Sequence, residues 1–145
     1  MLDRSLIGRQ GEPVVHEVEK GAIRSFAEAI GDPNPIYVDE VAARAAGYAS
    51  LVAPPTFPVA LASNERFRHS LDLGTRSIIH GEQQFEYARP IVAGDRITVR
   101  SKVADVQERA GSSGAMDVLV IEDEGRDDKG ELIFRTRAML ILRRG

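Results

Sequence analysis

Apolar and polar residues alternate through the second half of this chain, from Ser77 to Arg143, and this period of two constrains the fold more than any other feature. Side chains along a β-strand point to opposite faces in turn, so alternation predicts strands with one buried face. The segments between them carry glycine, proline and aspartate and are short enough to join antiparallel neighbours. We predict four strands, over residues 77–87, 97–103, 116–120 and 132–142.

The first half lacks this alternation and predicts helices instead. Apolar side chains recur three and four residues apart from 19 to 30, and Gly31 follows as a stop. Pro58 is tolerated only in the first turn of a helix, so the longest helix should begin near Thr56. The expected elements are a strand near 14–18 and helices over 19–30, 40–46 and 56–69. Helices followed by long strands predict an α+β fold, with an antiparallel sheet packed against a helix.

The last predicted strand is apolar on both faces. Leu132 and Phe134 lie on one face, and Ile133, Met139 and Ile141 lie on the other. A strand with two apolar faces requires cover on both. Because one helix covers only one side of a sheet, we expect a partner subunit to cover part of the other.

Composition limits the class of protein. With 145 residues, 43% of them hydrophobic, the chain is expected to fold as a single domain over residues 1–145. It has no cysteine, which excludes disulfides, thiolate catalysis and cysteine-ligated metals. The net charge of −3 is dispersed, with no basic stripe for nucleic acid and no apolar run long enough to cross a bilayer. The first residues lack the apolar core of a signal peptide, which favours a cytoplasmic location. The acidic run 122–128 is expected to be a solvated hairpin loop.

The segment 30–37, with the sequence IGDPNPIY, is the first candidate for chemistry. Its two prolines restrict the backbone and Gly31 permits an unusual conformation. Between them Asp32 stands on a stiff loop where it can take part in proton transfer, with Asn34 placed to orient it. The same residues are also good helix-stop and turn chemistry. The local composition favours the turn, and both interpretations remain open at this point.

Four segments in fixed order resemble a known family. They are 31–37 (GDPNPIY), 53–57 (APPTF), 80–83 (HGEQ) and 89–95 (RPIVAGD). Together they resemble the MaoC-like family of hotdog-fold acyl-thioester hydratases and dehydratases. More narrowly, the chain is similar to the N-terminal-type dehydratase domain related to the fungal fatty-acid-synthase dehydratase. The similarity extends from Leu6 to Arg143.

The resemblance implies a fold, a reaction and a mode of assembly. The fold is a hotdog, a curved antiparallel sheet wrapped around a long central helix. The substrates are acyl thioesters of coenzyme A or acyl carrier protein. The reaction adds water reversibly to a 2-enoyl thioester and gives a 3-hydroxyacyl thioester of R configuration, without a metal or redox cofactor. Family members form homodimers or higher assemblies, or carry two hotdogs in one chain.

The resemblance also assigns roles to residues. Asp32 matches the family's catalytic aspartate and is the expected base, and Asn34 is expected to orient the carboxylate or the water. The start of the helix near Thr56 offers N–H groups to the thioester oxygen. Since prolines at 54, 55 and 58 have no N–H to donate, Thr56 and Phe57 are the expected backbone donors.

The sequence departs from the hydratase branch at Tyr37, where that branch has a catalytic histidine. A phenol with a pKa near 10 donates a hydrogen bond but is a poor base at neutral pH. In one interpretation the chain is an active enoyl-thioester hydratase. Tyr37 then positions water or substrate and His80 supplies the imidazole, beside Gly81, where a ligand can approach closely.

Two other interpretations remain open. The chain can be a non-catalytic subunit that shapes the acyl pocket of a heterodimeric dehydratase, while its partner supplies the histidine. It can also be a thioesterase, because the hotdog fold supports hydrolysis as well. The Gly-Asp-x-Asn-Pro signature, at residues 31–35, points away from the thioesterase.

Overall fold

The computed structural model describes residues 1–61, 65–74, 76–112 and 114–143. Its strands are β1 (Val14–Glu17), β2 (Ile78–Tyr87), β3 (Arg96–Gly111), β4 (Gly114–Arg126) and β5 (Leu132–Arg143). Its α-helices are α1 (Lys20–Ile30), α2 (Glu40–Ala45) and α3 (Glu65–Ser70). Short 3-10 helices cover Arg4–Leu6, Pro35–Tyr37 and Phe57–Ala60.

The five strands form one sheet in the order β1-β3-β4-β5-β2, and every neighbouring pair is antiparallel. This confirms the predicted α+β class. The edges of the sheet are β1 and β2, while β4 lies at its centre. β2 and β3 are adjacent in the chain but not in the sheet, so the loop between them crosses from one edge to the interior of the sheet.

The acidic run was predicted to be a solvated loop, and that prediction is wrong for its first part. Glu122, Asp123 and Glu124 lie inside β4, which continues to Arg126 before the turn begins. Cross-strand partners explain why charges are stable there. Glu122 pairs with Lys102 and Arg137 on the two flanking strands, and opposite charges on facing strands stabilise a sheet.

The long third helix predicted over 56–69 is also not continuous. Residues 57–60 form a 3-10 helix that ends at Leu61, and α3 is a separate, shorter α-helix. Residues 62–64 lie outside the described residues. The amides of Phe57, Val59 and Leu61 each bond a carbonyl three residues earlier. Pro58 has no N–H to begin the wider four-residue pattern, so the tighter turn is formed.

The first two helices agree with the sequence prediction. α1 buries Ile23 and Ala27 and ends at Gly31, whose φ of 69° is the left-handed conformation that favours glycine. The Asp39 side chain accepts a hydrogen bond from the Val41 amide at 2.9 Å and so caps α2. A salt bridge between Lys20 and Glu40 joins the two helices.

Two hydrophobic clusters lie along the helix-facing side of the sheet. The first cluster packs α1 and the segment 51–57 against the β1 end of the sheet, with Ile97, Val99 and Phe134 at its base. The second cluster packs α3 and the N-terminal residues against the other end, with Val103, Leu119 and Leu140 at its base, and includes Leu2, Phe67, Leu71 and Leu73. The core therefore has two parts, which follow one another along the length of β3 and β5.

The opposite side of the sheet is less apolar than β5 suggested. Ile133 was expected to need cover from a partner, but it is fully buried within the first cluster of this chain. Met139 and Ile141 are half-buried on the far side. Beside them that side carries ion pairs, including Arg135 with Glu124. This face of the sheet therefore requires less cover from a partner subunit than the apolar residues of β5 indicated.

Membrane insertion by a helix finds no support in this fold. None of the described helices combines the length and the apolar character needed to span a bilayer.

Gly125 provides a test of this packing. It lies opposite Val99 and Phe134 in the sheet, and a Cβ at this position would overlap the Phe134 ring. We expect Gly125→Ala to lower the free energy of unfolding by about 1–3 kcal/mol, because the buried ring must shift. Urea unfolding followed by circular dichroism measures the change.

Gly21→Ala is the matched control, since a Cβ there meets no atom within 4 Å and the residue lies inside α1. It should raise stability by up to about 1 kcal/mol. Equal effects of the two substitutions would show that Phe134 does not occupy the space over Gly125.

Candidate functional site

The loop after α1 is built from two consecutive side-chain turns. The Asp32 carboxylate accepts a hydrogen bond from the Asn34 amide at 3.1 Å, and the Asn34 side-chain oxygen accepts one from the Ile36 amide at 3.2 Å. Both side chains therefore perform the turn chemistry that the local composition favoured. Asp32 is half-buried and Asn34 is exposed. A structural role does not exclude a chemical one, because a carboxylate has further lone pairs.

Tyr37 is the most buried member of the predicted site. Its side chain is 6% exposed and belongs to the first cluster, and its hydroxyl lies near the Asp32 carboxylate. Burial raises the pKa of Tyr37 above its usual value, and the negative charge of Asp32 raises it further. The phenol is therefore held in its neutral form beside the carboxylate.

The extended segment Leu51–Ala53 joins three of the four motifs. The Val52 amide bonds the Ile36 carbonyl at 3.1 Å, which connects the segment to the Asp32 loop. The Ala53 amide bonds Ile91 at 2.9 Å, and the Ala93 amide bonds Leu51 at 2.8 Å. The motif at 89–95 is thus hydrogen-bonded to the same segment that is bonded to the Asp32 loop.

Residues within the motif at 89–95 also bond one another. Arg89 and Asp95 form a two-point ion pair at 2.8 and 3.1 Å, and Asp95 also accepts from the Val92 amide at 2.9 Å. Gly94 has a φ of 94°, which the turn between them requires. The contacts of Arg89 and Asp95 assign this motif a structural role.

The two expected backbone donors differ in availability. The Phe57 amide is bonded to the Pro54 carbonyl at 2.9 Å, and the Phe57 ring packs edge-on against Phe26 with centroids 5.4 Å apart. The Thr56 amide has no acceptor among the described residues. Of the pair, Thr56 is the donor that remains available to a ligand.

A side chain from one edge of the sheet holds the start of the segment 55–61. The Tyr87 hydroxyl, on β2, donates to the Pro55 carbonyl at 2.7 Å. On β1, at the other edge, burial lowers the pKa of His16. Sequence analysis did not find this function for Tyr87, because the contact joins residues 32 positions apart.

His80 and Gly81 lie apart from Asp32. His80 is exposed near the start of β2, opposite Leu140, and lines a cavity of about 200 Å³ with Pro58 and Val59. Gly81 lies in a β-bulge, where a Cβ would come 2.9 Å from the Ile141 side chain. Within the described residues, no hydrogen bond or ion pair joins His80 to Asp32 or Tyr37.

The sequence analysis did not find a half-buried acid on the helix-facing side of the sheet. Asp123, at the centre of the sheet, accepts a hydrogen bond from Ser101 and a second from Thr136. Burial raises its pKa above the ordinary value, against the opposing effect of these bonds and of Arg68. The period of two, continued from Leu119 through Ile121, would have placed Asp123 on the core face.

Comparison with solved structures defines the class of protein. A chain of the HadBC (3R-hydroxyacyl-ACP dehydratase) complex from Mycobacterium tuberculosis has a TM-score of 0.81 and 31% identity, over 94% of this chain and 96% of that one. A MaoC-like dehydratase has a TM-score of 0.86 and 27% identity, over 95% of this chain and 42% of its own. The fold is therefore the hotdog of MaoC-like dehydratases, as the sequence motifs indicated.

The sequence comparisons identify the family to which the chain belongs. The family model described as FAS1-like, dehydratase domain region matches residues 5–136, and the chain belongs to this family. A UPF0336 protein of Streptomyces avermitilis is 41% identical over 98% of this chain and 95% of its own length. The family model and the structural neighbours agree with the hydratase and dehydratase class.

The Tyr87 contact generates a prediction with a pH dependence. Tyr87→Phe should lower the free energy of unfolding by about 1–2 kcal/mol at neutral pH, because the Pro55 carbonyl loses its partner. Burial raises the pKa of Tyr87, so its neutral form stabilises the fold fully below the unfolded value near 10. Above about pH 10 the unfolded phenol ionises first, and the wild-type advantage should shrink.

Urea unfolding at pH 7 and at about pH 10.5 measures both effects. Tyr48→Phe is the control, since the Tyr48 hydroxyl has no hydrogen bond with any other described residue. A difference between wild type and Tyr87→Phe that grows with pH would contradict the assignment.

Proposed function

We propose that this chain takes part in the reversible hydration of 2-enoyl thioesters to (3R)-hydroxyacyl thioesters, as the acyl-thioester-binding subunit of a hotdog pair. The acyl carrier is coenzyme A or acyl carrier protein. One observation carries the proposal: the hydratase-branch histidine is replaced by Tyr37, which is buried near Asp32 and has a raised pKa.

The chemistry explains why this replacement matters. Hydration needs a base to activate water near C3, an acid to protonate C2, and donors for the charge that develops on the thioester oxygen. A phenol with an unperturbed pKa near 10 is ionised in about one molecule per thousand at pH 7. The raised pKa of Tyr37 reduces this fraction further. Asp32 can activate water as a base and Tyr37 can orient water or substrate, but the neutral phenol is a poor group for passing a proton to C2 at neutral pH.

Binding of the thioester is supported by the segment that follows Pro55. The Thr56 amide, which has no acceptor within the described part of the chain, can donate to the carbonyl oxygen of a thioester, and Tyr87 fixes the backbone immediately before it. The half-buried Asp32 is joined to the same region through the Val52–Ile36 hydrogen bond. These contacts hold a polar loop and an available amide in one rigid unit.

Assembly with a second hotdog is supported by the comparisons. The neighbour from Mycobacterium tuberculosis is a complex described as a 3R-hydroxyacyl-ACP dehydratase. The MaoC-like dehydratase chain is more than twice the length that this chain matches. In addition, β2 is an edge strand whose Ile78 and Ile79 are exposed. A second subunit bearing the histidine would complete the acid–base machinery.

A second candidate keeps the chemistry within this chain. His80 lines the same cavity as Pro58 and Val59, which follow Thr56 within three residues. In that case His80 would be the proton carrier and Tyr37 a positioning group. The two candidates make opposite predictions for the isolated chain.

The decisive substitution is Tyr37→His. On crotonyl-CoA or longer enoyl-CoA, the wild-type chain alone should show no hydration above the uncatalysed rate. Tyr37→His should raise the rate by about 100-fold or more, because it supplies the missing general acid–base group beside Asp32. Loss of the absorbance of the conjugated double bond measures the reaction.

Tyr37→Phe removes the hydroxyl without adding an imidazole and serves as the matched control, as does Tyr37→His combined with Asp32→Asn. Both should remain at background. If the wild-type chain alone hydrates the substrate and His80→Ala abolishes the activity, the second candidate replaces the first. Release of free thiol without loss of the double bond would instead identify a thioesterase.

A further inference from the structure

A row of polar side chains crosses the helix-facing side of the sheet between the two hydrophobic clusters. Ser101, Asp123 and Thr136 are direct neighbours on β3, β4 and β5. The row on one side of them contains Val99 and Phe134 of the first cluster, and the row on the other contains Val103 and Ile121 of the second. Apolar side chains would fill this position without needing any partner.

The carboxylate in this row is held in an environment that disfavours its charge. Asp123 accepts hydrogen bonds from the Ser101 and Thr136 hydroxyls, and Arg68 contributes a favourable charge. Burial outweighs these effects and raises the pKa of Asp123. A buried ionisable group without a structural necessity is a candidate for function.

The same carboxylate faces a cavity. Asp123 and Thr136 line the space of about 200 Å³ that lies beneath Pro58 and Val59, immediately after Thr56. Its other walls are mixed. Ile121, Ala138 and Leu140 supply aliphatic surface, while Arg68 supplies a charged donor. A thioester held at Thr56 would therefore have a partly polar pocket next to it.

We infer that this cavity receives the distal part of the acyl chain and that Asp123 selects acyl groups that carry a hydroxyl there. The inference rests on the proposed function, because it assumes that the chain binds an acyl thioester. A hydroxyl is both a donor and an acceptor. It can donate to Asp123 and accept from Arg68, which both line the cavity. A plain alkyl chain offers neither a donor to the carboxylate nor an acceptor to the guanidinium.

Direct binding of unreactive ligands tests the selection apart from catalysis. Decanoyl-CoA and its terminally hydroxylated counterpart are titrated into the purified chain by calorimetry, and the pair is repeated with octanoyl and dodecanoyl chains. At the length that brings the hydroxyl to Asp123, the hydroxylated ligand should bind about tenfold more tightly, as expected for a site built around a polar partner. A difference below about threefold at every length overturns the inference.

Two substitutions assign the effect to the carboxylate. Asp123→Leu should abolish the preference and tighten binding of the plain alkyl chain, and Asp123→Asn should reduce the preference while keeping the shape of the side chain. If Asp123→Leu does not fold, Asp123→Asn decides. Glu122→Gln is the matched control, because Glu122 is the neighbouring carboxylate on the opposite side of β4, and it should keep the full preference.

The outcomes separate this inference from the proposed function. Equal binding of both ligands, or a preference that survives in Asp123→Leu and Asp123→Asn, removes the role of Asp123 and leaves thioester binding intact. Failure of both ligands to bind at any length removes the proposed function, and the selectivity with it.

Discussion

The backbone pairing of the short segment Leu51–Ala53 is the interaction on which the rest of the site depends. Its amides and carbonyls bond the Asp32 loop on one side and the loop 91–93 on the other. Buried backbone groups must be paired, so this segment cannot move without breaking bonds on both sides. Residues that are far apart in the chain thereby become one rigid frame, and Thr56 begins its turn from the end of that frame. Precise placement of a few polar groups is what an acyl-transfer or hydration site requires.

The exchange of an imidazole for a phenol at position 37 changes what this frame can do. Tyr37 packs its ring in the first cluster, and its hydroxyl lies near Asp32. Burial and the negative charge of Asp32 both favour the neutral form of the phenol. An imidazole at the same place would titrate near neutral pH, whereas this phenol does not. A division of labour between two hotdogs follows naturally, with one subunit shaping the site and the other carrying protons.

The polar row at Asp123 lies between the two hydrophobic clusters of the core. Replacing a buried charge by an apolar side chain of similar volume is often neutral or stabilising, so folding alone does not explain a carboxylate there. Glu122, its neighbour in β4, is held by ion pairs on the solvent-facing side and needs no such explanation. The contrast between these two adjacent acids shows how alternation along a strand assigns one charge to the surface and the next to the interior.

Local pattern was enough to predict the two helices on either side of the Gly31 loop and the long strands that follow them, because periodicity and stop signals act within a few residues. Gly31 as the end of α1 was found in this way. Local pattern did not predict that β3 continues to Gly111 or that β4 continues through the acidic run to Arg126. The family motifs predicted the hotdog fold and the class of reaction. The broken third helix, the burial of Ile133, the cavity beside Asp123 and the occupied amide of Phe57 were decided only in three dimensions. Each depends on groups distant in sequence or on competition for one backbone group. Alternation assigns Glu122 and Asp123 to opposite faces of β4, but a cavity is a property of the assembled sheet and helices, so no local pattern could place one beside Asp123.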